Sequence, residues 1–340
     1  SPSGLEDSAT SPAGSGGGVI PFRHVYIHAV VQDGEGQKMS KSLGNGVDPL
    51  DIIETHGSDA MRFTLCQMAT QTQDVRLPVD ILDPFTGESF PAKMVQHGEA
   101  RVAAPIQEFK GKKMVSSFGV ASGQAKPTPD MPAAKNTSGK FDFGRNFANK
   151  MWNASRFTMS ILDKVSDGAT ERRSDGGEGT LPLVDRWMLT RLAKATREIE
   201  HALANYEFAN YANALYRFFW DDFCDWYVEA IKPTVDASAQ QRAVLATALR
   251  GALALAHPVM PFITEAIWEQ LAPRLAALPP VHEIAFAAPR KDNLLCTSGW
   301  PHPSNDAEHP DAEREFDRLK ALITAVREVR AVQNVQPRRK

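Results

Sequence analysis

Lys38-Met39-Ser40-Lys41-Ser42, followed by Leu43-Gly44-Asn45, puts two lysines and two hydroxyls into one glycine-flanked loop. Each lysine is a compact, strongly hydrated charge on a flexible stem, so both can reach one polyanion and follow it as it moves. The serine hydroxyls add neutral hydrogen bonds to the same oxygens. The chemistry such a loop suits is phosphate binding, although lysines in a Gly/Ser loop are more often simply solvated. No GxxxxGK[ST] run is present, so this is not that nucleotide loop.

The elements around the loop must hold it. The alternating apolar stretch Val25–Val31 before it predicts a strand. After it, Asp48-Pro49 opens a short helix, with Asp48 accepting from free backbone N–H groups and Gly57 ending it. Ser58 or Asp59 is expected to cap a second helix, with Met61 and Leu65 on one face. Arg62 reads as part of these connecting helices rather than as a reactive group.

Composition limits the function classes. The chain has 340 residues, 42% hydrophobic and 23% charged, with a net charge of −3. That length suits two or more domains. An acidic balance gives no global field for nucleic acid, so any RNA contact must rest on a local patch. Cys66, Cys224 and Cys296 are isolated from one another, with no CxxC or Cys/His cluster, which fits a reducing cytoplasm and implies no structural metal site. The longest apolar tract, near Ala252 to Ile263, is broken by His257, Pro258 and Pro261, so no membrane span is expected.

Four segments follow from pattern. Residues 1–18 are small, polar and glycine-rich and read as disordered low-complexity sequence, not as a signal peptide; the initial serine implies processing or truncation. Residues 19–77 hold the strand–loop–helix block. Residues 78–139, rich in Pro and Gly, read as an irregular or partly β insertion, with short strands around Gly111. Residues 140–340 read as a helical bundle, with a loose surface connection at 166–180. Its stripes are Phe143 to Ile161, Val184 to Leu203, Phe208 to Trp226, Val244 to Ala256 (apolar all round, hence central), Pro261 to Leu271, and Phe316 to Val329. The dense aromatics Phe218, Phe219, Phe223 and Tyr227 read as core rather than as base-stacking platforms.

Lys38–Ser42 matches, residue for residue, the KMSKS signature of class I aminoacyl-tRNA synthetases. The run Gly57-Ser58-Asp59-Ala60-Met61-Arg62 and its continuation Ala69-Thr70-Gln71-Thr72-Gln73-Asp74 resemble the valyl branch. So do Arg145-Asn146-Phe147-Ala148-Asn149-Lys150-Met151-Trp152-Asn153-Ala154-Ser155-Arg156-Phe157, Asp185-Arg186-Trp187, Cys224-Asp225-Trp226-Tyr227 and His257-Pro258-Val259-Met260-Pro261, in the family's order. The resemblance spans about 19–77 and 140–338. It implies a mainly α chain: the edge of a Rossmann-like catalytic domain, then a helical anticodon-binding bundle. It implies ATP and L-valine as substrates, Mg2+ accompanying the ATP, tRNA(Val) as partner, and a cytoplasmic monomer. Lys38 and Lys41 would be catalytic, with Met39, Ser40 and Ser42 completing the ATP-binding loop.

Arg145, Asn149, Asn153 and Arg156 fall at i, i+4, i+8 and i+11, one polar stripe opposite Phe147 and Met151. They offer donors to RNA bases and phosphates. Helix capping and ion pairs within the bundle are an equally open use of the same residues. The chain departs from the family in having no His-Ile-Gly-His, and Ala29 stands where relatives usually have glycine. By resemblance, the valine pocket and editing domain would precede these residues and a coiled-coil arm would follow Lys340. The expectation is therefore a carboxy-terminal portion that does not activate valine alone. Three readings remain: the valine enzyme, a non-catalytic tRNA-binding module, or an isoleucyl or leucyl relative.

Overall fold

The computed structural model describes residues 24–70, 73–164, 181–287 and 292–335. The 1–18 segment and the 166–180 connection lie outside these residues. β1 (Val31–Asp33) leads through the lysine loop into α1 (Pro49–His56) and α2 (Ser58–Met68), then into β2 (Val75–Leu77). β1 and β2 pair in parallel, Val31 opposite Val75 and Asp33 opposite Leu77. A parallel pair requires a crossover, and the two helices supply it.

The strand expected over Val25–Val31 exists only from Val31 onward. β2 offers β1 three residues to pair with, and Val25 and Ile27 stand exposed without a ladder partner among the described residues. α1 behaves as read: Asp48 accepts from the Leu50 N–H at 2.9 Å, and the Gly57 N–H closes the helix on the Ile53 carbonyl. α2 does not. Neither Ser58 nor Asp59 caps it; its buried residues are Asp59, Ala60, Phe63 and Thr64, and Met61 packs half-buried against Ile52, Leu77 and Phe141.

Residues 78–139 fold as small sheets. β3 (Asp80–Leu82) pairs antiparallel with β4 (Ser89–Pro91) on one side and with β9 (Lys135–Thr137) on the other. Between β4 and β9 come a hairpin of β5 (Met94–His97) and β6 (Ala100–Ala103), a hairpin of β7 (Ile106–Phe109) and β8 (Lys112–Val115), and the single turn α3 (Ser117–Ala121). The β7–β8 turn is Lys110-Gly111, as the sequence pattern places it. Ile81, Phe90, Met114 and Ala134 form its own small core.

The helices are α4 (Phe141–Asp163), α5 (Leu183–Ala204), α6 (Phe208–Tyr216), α7 (Val228–Ile231), α8 (Ala239–Ala256), α9 (Pro261–Leu275) and α10 (Pro310–Val332). A π-helical stretch, Arg217–Tyr227, joins α6 to α7, and a short antiparallel pair, β10 (Ile284–Phe286) with β11 (Pro301–Pro303), precedes α10. α8 is the central helix, its apolar residues buried on nearly every side. α10 docks by its first turns, where Phe316 meets Trp187 at 4.2 Å between ring centres. The apolar stripe beyond Phe316 does not reach the core: Ile323 is 40% and Val329 62% exposed.

One core unites the loop-bearing segment with the bundle. Phe63 of α2 is fully buried, stacks on Phe147 of α4 at 4.5 Å, and belongs to the bundle's main cluster. Arg62 donates to the Val259 and Pro258 carbonyls at 3.0 Å each, which ties α2 to the corner between α8 and α9. Its role is structural.

Candidate functional site

The Lys-Met-Ser-Lys-Ser loop is anchored by Met39 and presents the rest. Met39 packs against the small core of Ile52, Leu77 and Phe141, while Lys38, Lys41 and Ser42 are exposed. Neither lysine side chain makes an ion pair or hydrogen bond among the described residues. Two exposed lysines three residues apart and without a carboxylate partner are of the type that can take up an anion. Ser40 turns inward: its hydroxyl accepts from the Leu43 N–H and lies 3.2 Å from the Ser42 hydroxyl.

A buried polar pair shapes the loop from beneath. The Asp33 carboxylate, 4% exposed, accepts from the Glu35 and Gln37 N–H groups and from the Asn45 carboxamide at 2.8 Å. Asn45 in turn accepts from the Ser40 N–H at 2.9 Å. The two ends of the loop are thus closed on each other by side chains twelve residues apart, each buried carboxyl or carboxamide oxygen accepting at least one hydrogen bond.

The 78–139 module braces the loop from outside. Asn136 of β9 donates to the Gly44 carbonyl at 2.8 Å and the Gly46 carbonyl at 2.7 Å, and accepts from the Ser117 hydroxyl. Gly44 has φ +56, and a Cβ there would collide with the Phe118 backbone, so glycine is required twice over. On the entry side, Gln37 exchanges two hydrogen bonds with the Arg101 backbone, at 2.7 and 3.0 Å, and Arg101 pairs with Glu35 at 2.9 Å. Lys135 bridges β9 to α1 through Asp51 and Glu54, and those carboxylates, Asp51 foremost, push its pKa up.

The second group of sequence-derived residues lies on α4. Arg145, Asn149, Asn153 and Arg156 are all exposed along one face, about 16 Å of helix. Arg145 is engaged locally by Asp142 at 2.6 Å, and the same carboxylate oxygen lies 3.4 Å from His56. Asn149, Asn153 and Arg156 have no partner among the described residues and cap no helix end. Beside them Lys150 covers the Trp220 ring at 4.8 Å and pairs with Asp225. The aromatics Phe218, Phe219, Phe223 and Tyr227 are buried, as their density implies.

Sequence reading missed Asp33, Gln37, Arg101 and Asn136 as loop supports. Asn45 stood inside the recognised run; nothing in local spacing marks the others. Among the described residues no group of three or more His, Cys, Asp or Glu could hold a metal, and no helix is long and apolar enough to cross a membrane.

Comparisons with known proteins cover both parts. Residues 13–78 match the family of class I tRNA synthetases (I, L, M and V), and residues 185–340 match the anticodon-binding domain of tRNA ligase. The α4 stripe precedes the second match. A valine–tRNA ligase of Rhodopirellula baltica is 36% identical over 94% of this chain and 30% of its own length. Those of Thermotoga maritima and Dechloromonas aromatica are each 34% identical, over 93% and 94% of this chain and 27% and 31% of their own lengths. The chain therefore spans under a third of these relatives. Among solved structures, a ternary complex of Agrobacterium radiobacter K84 agnB2 LeuRS with tRNA and LeuAMS superposes at a TM-score of 0.44 and 18% identity, over 84% of this chain and 28% of that one.

Proposed function

Because this chain is a homologue of valine–tRNA ligases that joins a class I tRNA synthetase segment to a tRNA ligase anticodon-binding domain, we propose that it serves valine–tRNA ligation. In that reaction the valine carboxylate attacks the α-phosphorus of ATP, giving valyl-adenylate and pyrophosphate. The valyl group then passes to the terminal ribose of tRNA(Val), releasing AMP. Lys38 and Lys41 contact the ATP phosphates and stabilise the charge that develops on the leaving pyrophosphate, with Ser40 and Ser42 at the rim of the same loop. Mg2+ arrives with ATP as part of the substrate. The helical domain, residues 140–340, holds the anticodon stem-loop, and Arg145, Asn149, Asn153 and Arg156 lie on the face proposed to meet it. The proposed setting is a cytoplasmic monomer, in keeping with three cysteines that form no disulfide among the described residues.

The observation that carries this reading is the core shared by the two parts. Phe63 sits one helix away from an unpaired lysine loop and is buried in the core of the anticodon-binding bundle. Free lysines alone would also suit RNA phosphate; their place in a Lys-Met-Ser-Lys-Ser run inside the class I tRNA synthetase match supports the ATP reading. The test is binding of the 340-residue chain to a tRNA(Val) transcript and to the same transcript with an altered anticodon. The altered transcript should bind more weakly by about 1–3 kcal/mol, the scale of a lost base-edge contact. Equal binding to both, differing only with salt, would contradict anticodon recognition by this bundle.

A further inference from the structure

We propose that the 78–139 module positions the phosphate loop, with Asn136 and Gln37 as its two latches. The inference rests on the reading of Lys38 and Lys41 as ATP-phosphate ligands. Three features of the contact support it. The module holds the loop at both ends: Asn136 grips the Gly44 and Gly46 carbonyls after the lysines, and Gln37 is clasped by the Arg101 backbone before them. Asn136 is itself fixed, being 5% exposed, set in β9 opposite Ile81, and hydrogen-bonded to Ser117. Between the latches Gly44 abuts the Ser117–Phe118 backbone, but beside that one contact the two parts leave a gap. A cavity of about 300 Å³ separates Asp33, Gly44 and Asn45 from Ile81, Pro91 and Met94.

That combination is what a positioning device needs. A solid apolar interface would make the loop inseparable from the module's core. Discrete hydrogen bonds and the single Gly44–Phe118 backbone approach instead set where the loop rests while leaving both cores independent. The Ile81, Phe90 and Met114 core contains no loop residue, and the Ile52, Leu77 and Phe141 core that holds Met39 contains no module residue between 78 and 139. Loss of a latch therefore lowers the fraction of molecules whose lysines are aligned for phosphate, and the apparent ATP affinity falls by that fraction.

The experiment has two arms. Hydrogen exchange on the 340-residue chain reads the latch itself. Asn136→Asp keeps the side chain's size but removes both donors, and Gln37→Ala removes the other latch from a less buried site. Each should speed exchange over residues 38–47 about tenfold, the scale of one or two lost hydrogen bonds, while α8 is unchanged. Pyrophosphate exchange reads the consequence, in a valine–tRNA ligase of the relatives' full length carrying this chain as the corresponding segment. KM for ATP should rise about tenfold with kcat nearly constant, because saturating ATP restores the aligned loop. A merely structural defect reduces the active fraction and lowers kcat at constant KM. Wild-type exchange over 38–47 in both variants, or a lower kcat at constant KM, overturns the proposal. Lys41→Ala in the same enzyme separates the two readings. If it leaves catalysis intact, the phosphate assignment fails; if it slows catalysis while both latch variants keep wild-type KM, only the latch fails.

Discussion

Asp59 accepts the Ile263 backbone N–H at 2.6 Å, so a helix of the loop-bearing segment caps a bundle helix 204 residues away. Its other oxygen accepts from Phe262 at 3.3 Å. Burial pushes the Asp59 pKa up, and the two backbone donors pull it back. Asp59→Ala leaves both N–H groups without that acceptor and should cost about 1–3 kcal/mol. Urea unfolding of the variant reads this directly; an unchanged midpoint would mean that the cap contributes nothing to the joint.

The same joint admits a test in which two effects oppose each other. In a helix interior Gly→Ala ordinarily stabilises by about 1 kcal/mol. At Gly144 of α4, however, a Cβ would press on the Ala60 carbonyl and the Thr64 hydroxyl of α2. Backbone cannot yield as a side-chain tip can, so overpacking wins, and Gly144→Ala should destabilise by about 1–3 kcal/mol. A raised melting temperature would show that α2 and α4 part freely.

Two histidines at the joint should give it a pH dependence. His257 donates to or accepts from Thr264 at 2.8 Å, and burial lowers its pKa against the pull of Glu265 and Asp59. Burial, then Arg145, lowers that of His56 against Asp142. The folded state thus binds these protons less readily than the unfolded chain, whose imidazoles titrate near 6.5. Their contribution is complete above that value and is lost as pH falls through the lowered folded values. The melting temperature should drop on acidification from about pH 7.5 to about 5.5, and His257→Gln should flatten the profile. A profile unaltered by His257→Gln would place the titration elsewhere.

On α4 the four exposed residues separate by partner. Arg156 is unpaired among the described residues, so Arg156→Ala should reduce the salt slope of tRNA binding by about 1 and leave the melting temperature alone. Arg145 is held by Asp142, so Arg145→Ala should change stability as well, though by under about 1 kcal/mol for an exposed pair. A purely thermal effect of Arg156→Ala would make the stripe a solvated helix face.

Much of this was legible in the chain. The helical stripes of α4, α5 and α8 were readable because apolar spacing alone sets which face is buried, and the Lys38–Ser42 run because its residues are contiguous. Periodicity misled where burial depends on what lies opposite. The Val25–Val31 alternation found only three residues of β2 to pair with, and the α10 apolar stripe past Phe316 stays exposed. It was also silent on winding: Phe208 to Trp226 read as one regular helix, yet the i→i+5 turns of Arg217–Tyr227 bring the adjacent Phe218 and Phe219 both into the core. The loop's supports were hidden for a different reason. Asn136 reaches Gly44 across 92 residues, and only tertiary closure brings them together.

The central claim is that Lys38 and Lys41 act on ATP phosphate. It is tested most directly by valine-dependent pyrophosphate exchange in a valine–tRNA ligase of full length carrying this chain, with and without Lys41→Ala. A positioned cation acting on the transition state contributes a few kcal/mol, so the variant should exchange about a hundredfold more slowly, with valine affinity little changed. Exchange at the unaltered rate would contradict the account.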